Sequence, residues 1–451
     1  MKLVRFGICA LVVFAVAAHG AVEDWARAAL ETGAGLLLVL WAVRFAYPRS
    51  HEEKPPAAAA QGEEQRREEK RSKENQAEEK QIVITPLLFP LAALALFSLA
   101  QIFFRGTVSA YSTRIELTLL LADIVLLFLA AQVFRTVEDW RTFVWFIMIF
   151  GFIVAIFGIL QQLTFNGKLY WFREMRYGGI PFGPYVNRNH FAGFIELVIP
   201  ISLVPLVLGK VRRERWFIVG IFALVPIGAL FLCASRGGII SFAVQLGVLL
   251  LLILFRRSGS RHVLAGGAVL LLAFLLVYWL GVREILDRFS SLQALEVTVG
   301  KRASMRQDTW RIFLDHRWTG TGLGTLPIVF PAYETLYDAK IVNHAHNDYL
   351  EALADTGIVG GLCCAAFLVL LFGGSLRSLL FLDKSFSASL HLSGLLGCSS
   401  FLVHSLVDFN LHIPANALLF FLVAHLATGE IRYPSTQNRS VRRRRSSEIA
   451  D

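Results

Sequence analysis

Asn343-His344-Ala345-His346-Asn347-Asp348-Tyr349-Leu350-Glu351 leads without a break into an apolar stretch, residues 351–376. About 20 apolar residues of helix cross roughly 30 Å of hydrocarbon, so this stretch is long enough to span a bilayer. Ionisable groups are costly to carry into hydrocarbon. A dense His-Asn-Asp cluster at the head of a membrane helix therefore points to function before packing.

Outward from this segment, apolar stretches recur along the whole 451-residue chain: 3–19, 28–47, 83–104, 115–134, 142–163, 191–209, 216–234, 238–255, 263–280, 388–407 and 412–430. With 351–376 they make about twelve transmembrane helices. A 55% hydrophobic composition and a mean hydropathy of +0.56 agree with an all-α polytopic membrane protein. The first stretch has two readings. Lys2, Arg5, the apolar core and the small residues near Ala17 to Ala21 fit either a retained span or a signal peptide.

Basic loops set the orientation. With a cytoplasmic 48–82 segment, alternation puts Arg135 and Arg141, Lys210 to Arg213, Arg256-Arg257, Arg377 and Lys384, and Arg442 to Arg445 on one side. That side is the cytoplasm, and the net charge of +10 is mostly a topology anchor at an anionic lipid surface, with no nucleic-acid partner implied. Four segments result: an N-terminal hairpin (1–47), a charged cytoplasmic linker (48–82), a transmembrane domain (83–431) holding a large outer loop (281–350), and a basic tail (432–451). Cys9, Cys233, Cys363, Cys364 and Cys398 all lie in apolar spans without a CxxC pair, so neither a disulfide framework nor a zinc motif is indicated.

Mapped on this topology, the unusual polar residues share the outer face. Asn187 and Asn189 open the sixth span, and Arg236 sits in the Ser235-Arg236-Gly237-Gly238 turn. Arg302, Arg306 and Arg311 lie in the large loop, with His344, His346 and Asn347 at its end. His404 and Asp408, four residues apart, are expected on one helical face. Each piece has a plainer reading as well. Arg236 can snorkel to headgroups, Asn187 can cap a helix, Arg306 with Trp310 can anchor at the interface, and His404 with Asp408 can be a structural pair. The glycine-rich Gly320 to Thr325 loop is a weak nucleotide signal, lacking a preceding strand. The convergence of five segments favours a site on the periplasmic face.

These residues resemble the O-antigen ligase and polymerase superfamily of bacterial inner-membrane glycosyltransferases. The family pattern of His-Asn, nine residues and Gly-x-x-Gly is matched by His346-Asn347 and Gly357-Ile358-Val359-Gly360. Arg-x-x-x-Trp is matched at Arg306 to Trp310, followed by Asp315-His316 and by Gly320-Thr321-Gly322-Leu323-Gly324; Ser-Arg-Gly is matched at Ser235 to Gly237, and Asn-x-Asn at Asn187 to Asn189. Arg317 stands where proline is usual. The resemblance covers roughly 85–430.

The resemblance implies a GT-C-like fold and transfer of a glycan from an undecaprenyl-diphosphate carrier to a hydroxyl acceptor, such as a glycan or lipid A-core. His346 would be the general base. Arg236 and Arg306 would hold the diphosphate, with Asn187, Asn189, Arg302, Arg311, His344, Asn347, His404 and Asp408 around the substrates. The donor is already activated, so no cofactor is implied. No Asp-x-Asp occurs, so a metal-independent, inverting reaction is expected. The motifs do not separate ligase from polymerase. A transporter of lipid-linked sugars would carry polar or helix-breaking residues at mid-membrane, whereas here the mid-span positions are mainly apolar. A non-catalytic assembly scaffold would leave the His-Arg constellation unexplained.

Overall fold

A computed structural model describes residues 1–47, 81–174, 180–255, 292–336, 341–381 and 386–432. Most of the charged linker, the expected span 263–280, residues 281–291 and 337–340 of the large loop, and the Arg442 to Arg445 tail lie outside the described residues.

The apolar runs form α1 (Lys2–Ala17), α2 (Asp24–Ala46), α3 (Leu88–Phe103), α4 (Ala110–Val133), α5 (Val137–Leu163), α6 (Arg188–Val207), α7 (Trp216–Leu232) and α8 (Arg236–Phe255). The extramembrane helix α9 (Leu292–Asp315) and the short α10 (Leu326–Val329) follow, then α11 (Asp348–Phe381), α12 (Phe386–His404) and α13 (Pro414–Thr428). Among the described residues, eight helices are long and apolar enough to cross a membrane, and α3 and α13 are shorter apolar helices. The protein is an all-α polytopic membrane protein.

Helix ends carry local signals. Thr136 caps α5 in a reciprocal capping box with Asp139, whose carboxylate also pairs with Arg5 at the start of α1. Asn187 caps α6 by accepting the Asn189 N–H at 2.9 Å. Helix α6 is buried on every side and packs on α5, α7, α8, α12 and α13, making it the central post of the bundle. On α1, Val4, Ile8 and Val12 recur at helical spacing and are fully buried against the body. The Gly20 carbonyl beyond α1 accepts the Ala415 N–H at 3.0 Å, close to the start of α13.

Helix α11 is broken at Gly357, whose φ of 63° and ψ of −162° interrupt the helical ladder. A break inside a membrane helix frees backbone groups that need partners. The segment after α9 supplies them. Ile358 N–H donates to the Arg317 carbonyl at 2.8 Å, while Thr321 and Gly322 N–H donate to the Ala354 and Asp355 carbonyls at 3.1 and 2.8 Å. The approach is backbone to backbone: a Cβ on Gly320 would lie 2.3 Å from the Asp355 carbonyl oxygen, and one on Gly357 2.4 Å from that of Trp318. The glycine-rich loop thus docks a chain segment against a broken helix. Gly357 of the Gly-x-x-Gly element is the other half of the same joint.

Candidate functional site

The starts of α6, α8, α11 and α13, the end of α12, and α9 meet at one end of the bundle. His346 sits there two residues before the start of α11, at φ +50°. A non-glycine residue in that region carries about 1–3 kcal/mol of strain and persists only when its surroundings fix it. They do so here on both sides. Ala345 N–H donates to Glu351 Oε2 at 2.8 Å, Asn347 Nδ2 donates to the Leu406 carbonyl at 3.0 Å, and Asp348 N–H donates to the Ser405 carbonyl at 3.0 Å. Asn347 Oδ1 also accepts the Leu350 N–H, capping α11.

The carboxylate facing His346 is Asp408. Its Oδ1 lies 3.4 Å from His346 Nδ1 and 3.9 Å from His190 Nε2, and Oδ2 accepts Asn189 Nδ2 at 2.5 Å. Asp408 is fully buried. Burial alone would raise its pKa, but His346, His190 and His404 outweigh that cost and hold it well below the usual carboxylate range. The 3.4 Å contact is at ion-pair distance without hydrogen-bond alignment, and among the described residues His346 Nδ1 has no hydrogen-bond partner.

Phe409 separates this group from a second one. The His344 ring stacks on Phe409 at 4.2 Å between centroids, while the His346 and His190 rings meet it edge-on at 5.0 and 4.7 Å. Beyond Phe409, His344 Nδ1 lies 2.8 Å from Glu351 Oε1. His412 places Nδ1 2.8 Å from Asp348 Oδ1 and Nε2 3.3 Å from Glu351 Oε1. Burial works against charge on His412, but Glu351 and Asp348 prevail and raise its pKa to about 10.

The remaining expected residues divide. Arg302 Nη1 donates to the Val407 carbonyl at 3.2 Å, tying α9 to the turn that carries Asp408. Arg236 opens α8, where Ser235 Oγ accepts the Gly238 N–H at 3.2 Å; Arg306 lies half-buried one turn beyond Arg302. Arg311 is not drawn in: it pairs along its own helix with Asp308 at 3.5 Å and is about half exposed. Asn187 acts as the helix cap described above. His404 and Asp408 do not pair side chain to side chain. Helix α12 ends at His404, so Asp408 lies in the turn beyond it, and His404 Nδ1 instead meets Glu196 Oε1 of α6 at 2.8 Å. A Cβ on Gly237 would fall 2.6 Å from His404 Nε2, so His404 also lies directly beneath the first turn of α8.

Sequence reasoning missed His190, Glu196, Asp348, Glu351, Phe409 and His412 as members of the site. Asp348 and Glu351 were within the quoted stretch, and their spacing put them on one face of the first turn of α11. His190 closes the Asn187-Arg188-Asn189-His190 element at the start of the sixth span; nothing local marked Glu196, Phe409 or His412, whose partners are remote in sequence.

A histidine set against a buried carboxylate can accept a proton, and Arg236, Arg302 and Arg306 lie on the elements that meet there. No curated protein matches the chain at a significant level. The family model described as O-antigen ligase matches residues 221–365, which hold Arg236, Arg306, His346 and the Gly357 break. Over that stretch the chain is similar to the O-antigen ligase family, which supports the resemblance to the O-antigen ligase and polymerase superfamily.

Proposed function

We propose that the protein transfers a glycan from an undecaprenyl-diphosphate carrier to a hydroxyl acceptor, at the periplasmic face of the bacterial inner membrane. The observation that carries this reading is His346, held at a strained backbone position with Nδ1 toward the buried Asp408 carboxylate. That arrangement leaves Nε2 to receive a proton, while the carboxylate stabilises the imidazolium that forms.

In the proposed step the acceptor O–H gives its proton to His346 Nε2. The oxygen attacks the anomeric carbon, and the bond from that carbon to the diphosphate oxygen breaks. The electron pair leaves with undecaprenyl diphosphate, and a single displacement inverts the anomeric centre. Arg236 and Arg306 hold the diphosphate and offset the charge it gains, so this step needs no metal on the leaving group. His346 later returns its proton to water.

Purified protein supplied with lipid-linked donor and a hydroxyl acceptor should form glycosylated acceptor and free undecaprenyl diphosphate. Absence of both products across lipid A-core and glycan acceptors would sink the reading. A deletion strain separates the two branches of the superfamily: full-length lipid-linked polymer accumulates when a ligase is lost, and single repeats capping the acceptor indicate a lost polymerase. Sidedness is read by cysteines at Tyr333 and Glu138, near opposite ends of the bundle. Only Tyr333→Cys should react with an impermeant reagent applied from the periplasm; labelling of Glu138→Cys alone would invert the topology.

A further inference from the structure

We infer that His344, Glu351 and His412 form a binding site for a divalent transition-metal ion of the zinc type, lying across Phe409 from His346. The inference does not rest on the transferase reading, because metal binding is measured directly.

His344, Glu351 and His412 each offer one ligand atom, and the three atoms lie within 4.8 Å of one another. The two imidazole nitrogens face the same carboxylate oxygen at 2.8 and 3.3 Å. A tetrahedral zinc ion with bonds of about 2.0–2.1 Å separates its ligands by about 3.3 Å. The 3.3 Å contact already has that separation, and the 2.8 Å contact needs to open by about half an ångström to admit the ion.

The surrounding hydrogen bonds match what a metal site needs. Asp348 Oδ1 takes His412 Nδ1 at 2.8 Å and so directs Nε2 inward, a carboxylate–histidine–metal arrangement. Asp348 Oδ2 is fixed in turn by the Leu411 N–H at 3.1 Å. Glu351 Oε2 is taken by the Ala345 N–H, which leaves Oε1 as the ligand atom. His344 is held by its stack on Phe409. Glu351 is buried, while His344 and His412 are each about a quarter exposed, so a fourth position opens toward solvent as in zinc sites with three protein ligands.

Imidazole-rich donors select zinc-like ions over magnesium or calcium, which prefer all-oxygen sites. The missing Asp-x-Asp bears on a metal-held diphosphate and is silent about a site of this chemistry. The ligands come from the segment before α11, the first turn of α11 and the turn before α13. An ion would clasp these three pieces together, two residues from His346.

The test is calorimetric titration of zinc into chelator-treated, detergent-purified full-length protein, repeated with cobalt(II) to read visible d–d absorption. One equivalent should bind, with cobalt bands of four-coordinate intensity. His412→Ala and His344→Ala should each weaken binding at least about 100-fold, and Asp348→Asn about 10- to 100-fold. His346→Ala, outside the ligand set, should leave affinity within about threefold. Failure of the unmutated protein to bind a stoichiometric ion overturns the inference without any variant. Equal affinity in a folded His344→Ala/His412→Ala double variant overturns it as well.

Discussion

The groups on either side of Phe409 use the same side-chain types in different ways. Around Glu351 the contacts are short and reciprocal: 2.8 Å to His344, 2.8 Å to the Ala345 N–H, and 2.8 Å between His412 and Asp348. Around Asp408 the histidines stand off at 3.4 and 3.9 Å, and only Asn189 and the Phe409 N–H bond it closely. Closed hydrogen bonds hold geometry, whereas a carboxylate with loosely held imidazoles leaves them room to exchange protons. On the proposed function, the Glu351 side anchors and the Asp408 side reacts.

The largest expected effect breaks the reactive side. His346→Ala should lower transfer in the purified system by about 10²- to 10⁴-fold while leaving the detergent-solubilised protein folded. Near-normal turnover would remove His346 as the base, and loss only in His344→Ala would move the base across Phe409.

The anchoring side should respond in stability. Glu351→Ala strands two histidines and a buried N–H, and breaking a buried ion pair this way costs about 3–5 kcal/mol. The readout is a lowered thermal unfolding midpoint. Asp408→Asn should do the reverse, reducing turnover by at least about tenfold with the smaller shift in midpoint. If the two variants exchange these signatures, the roles assigned to the two groups are swapped.

Arg236→Lys and Arg306→Lys sharpen the picture of what faces the reactive side. Each keeps the charge but loses the planar fork, so donor use should fall about tenfold. Lysine variants with full activity would show that a point charge suffices. The smallest effect is Asn187→Ala, a lost cap worth about 1 kcal/mol of stability with unchanged turnover. A turnover defect there would return Asn187 to the substrate.

The described spans follow from the lengths of the apolar runs, and the motif spacing put His346, Arg236 and Arg306 forward as candidates, a proposal that the variants above test. Pairing across helices was not legible. His404 and Asp408 are four residues apart, which pairs them only if the helix continues; it stops at His404, and each finds a different partner. Glu196 lies in an otherwise apolar run, where no period marks a carboxylate that meets a histidine some two hundred residues later. Arg311 failed for the opposite reason, since Asp308 one turn away satisfies it locally. The glycine-rich loop was visible as a pattern, but its purpose depends on the Gly357 break, which composition does not reveal.

The seam between the post-α9 segment and the broken α11 also has a mechanical consequence. Helix α9 carries Arg306, and α11 begins two residues after His346. Stitched backbone to backbone across 317–322 and 354–359, the two behave as a single bracket. A load applied at this end of the bundle can push on the bracket, but it cannot readily change the spacing between Arg306 and His346.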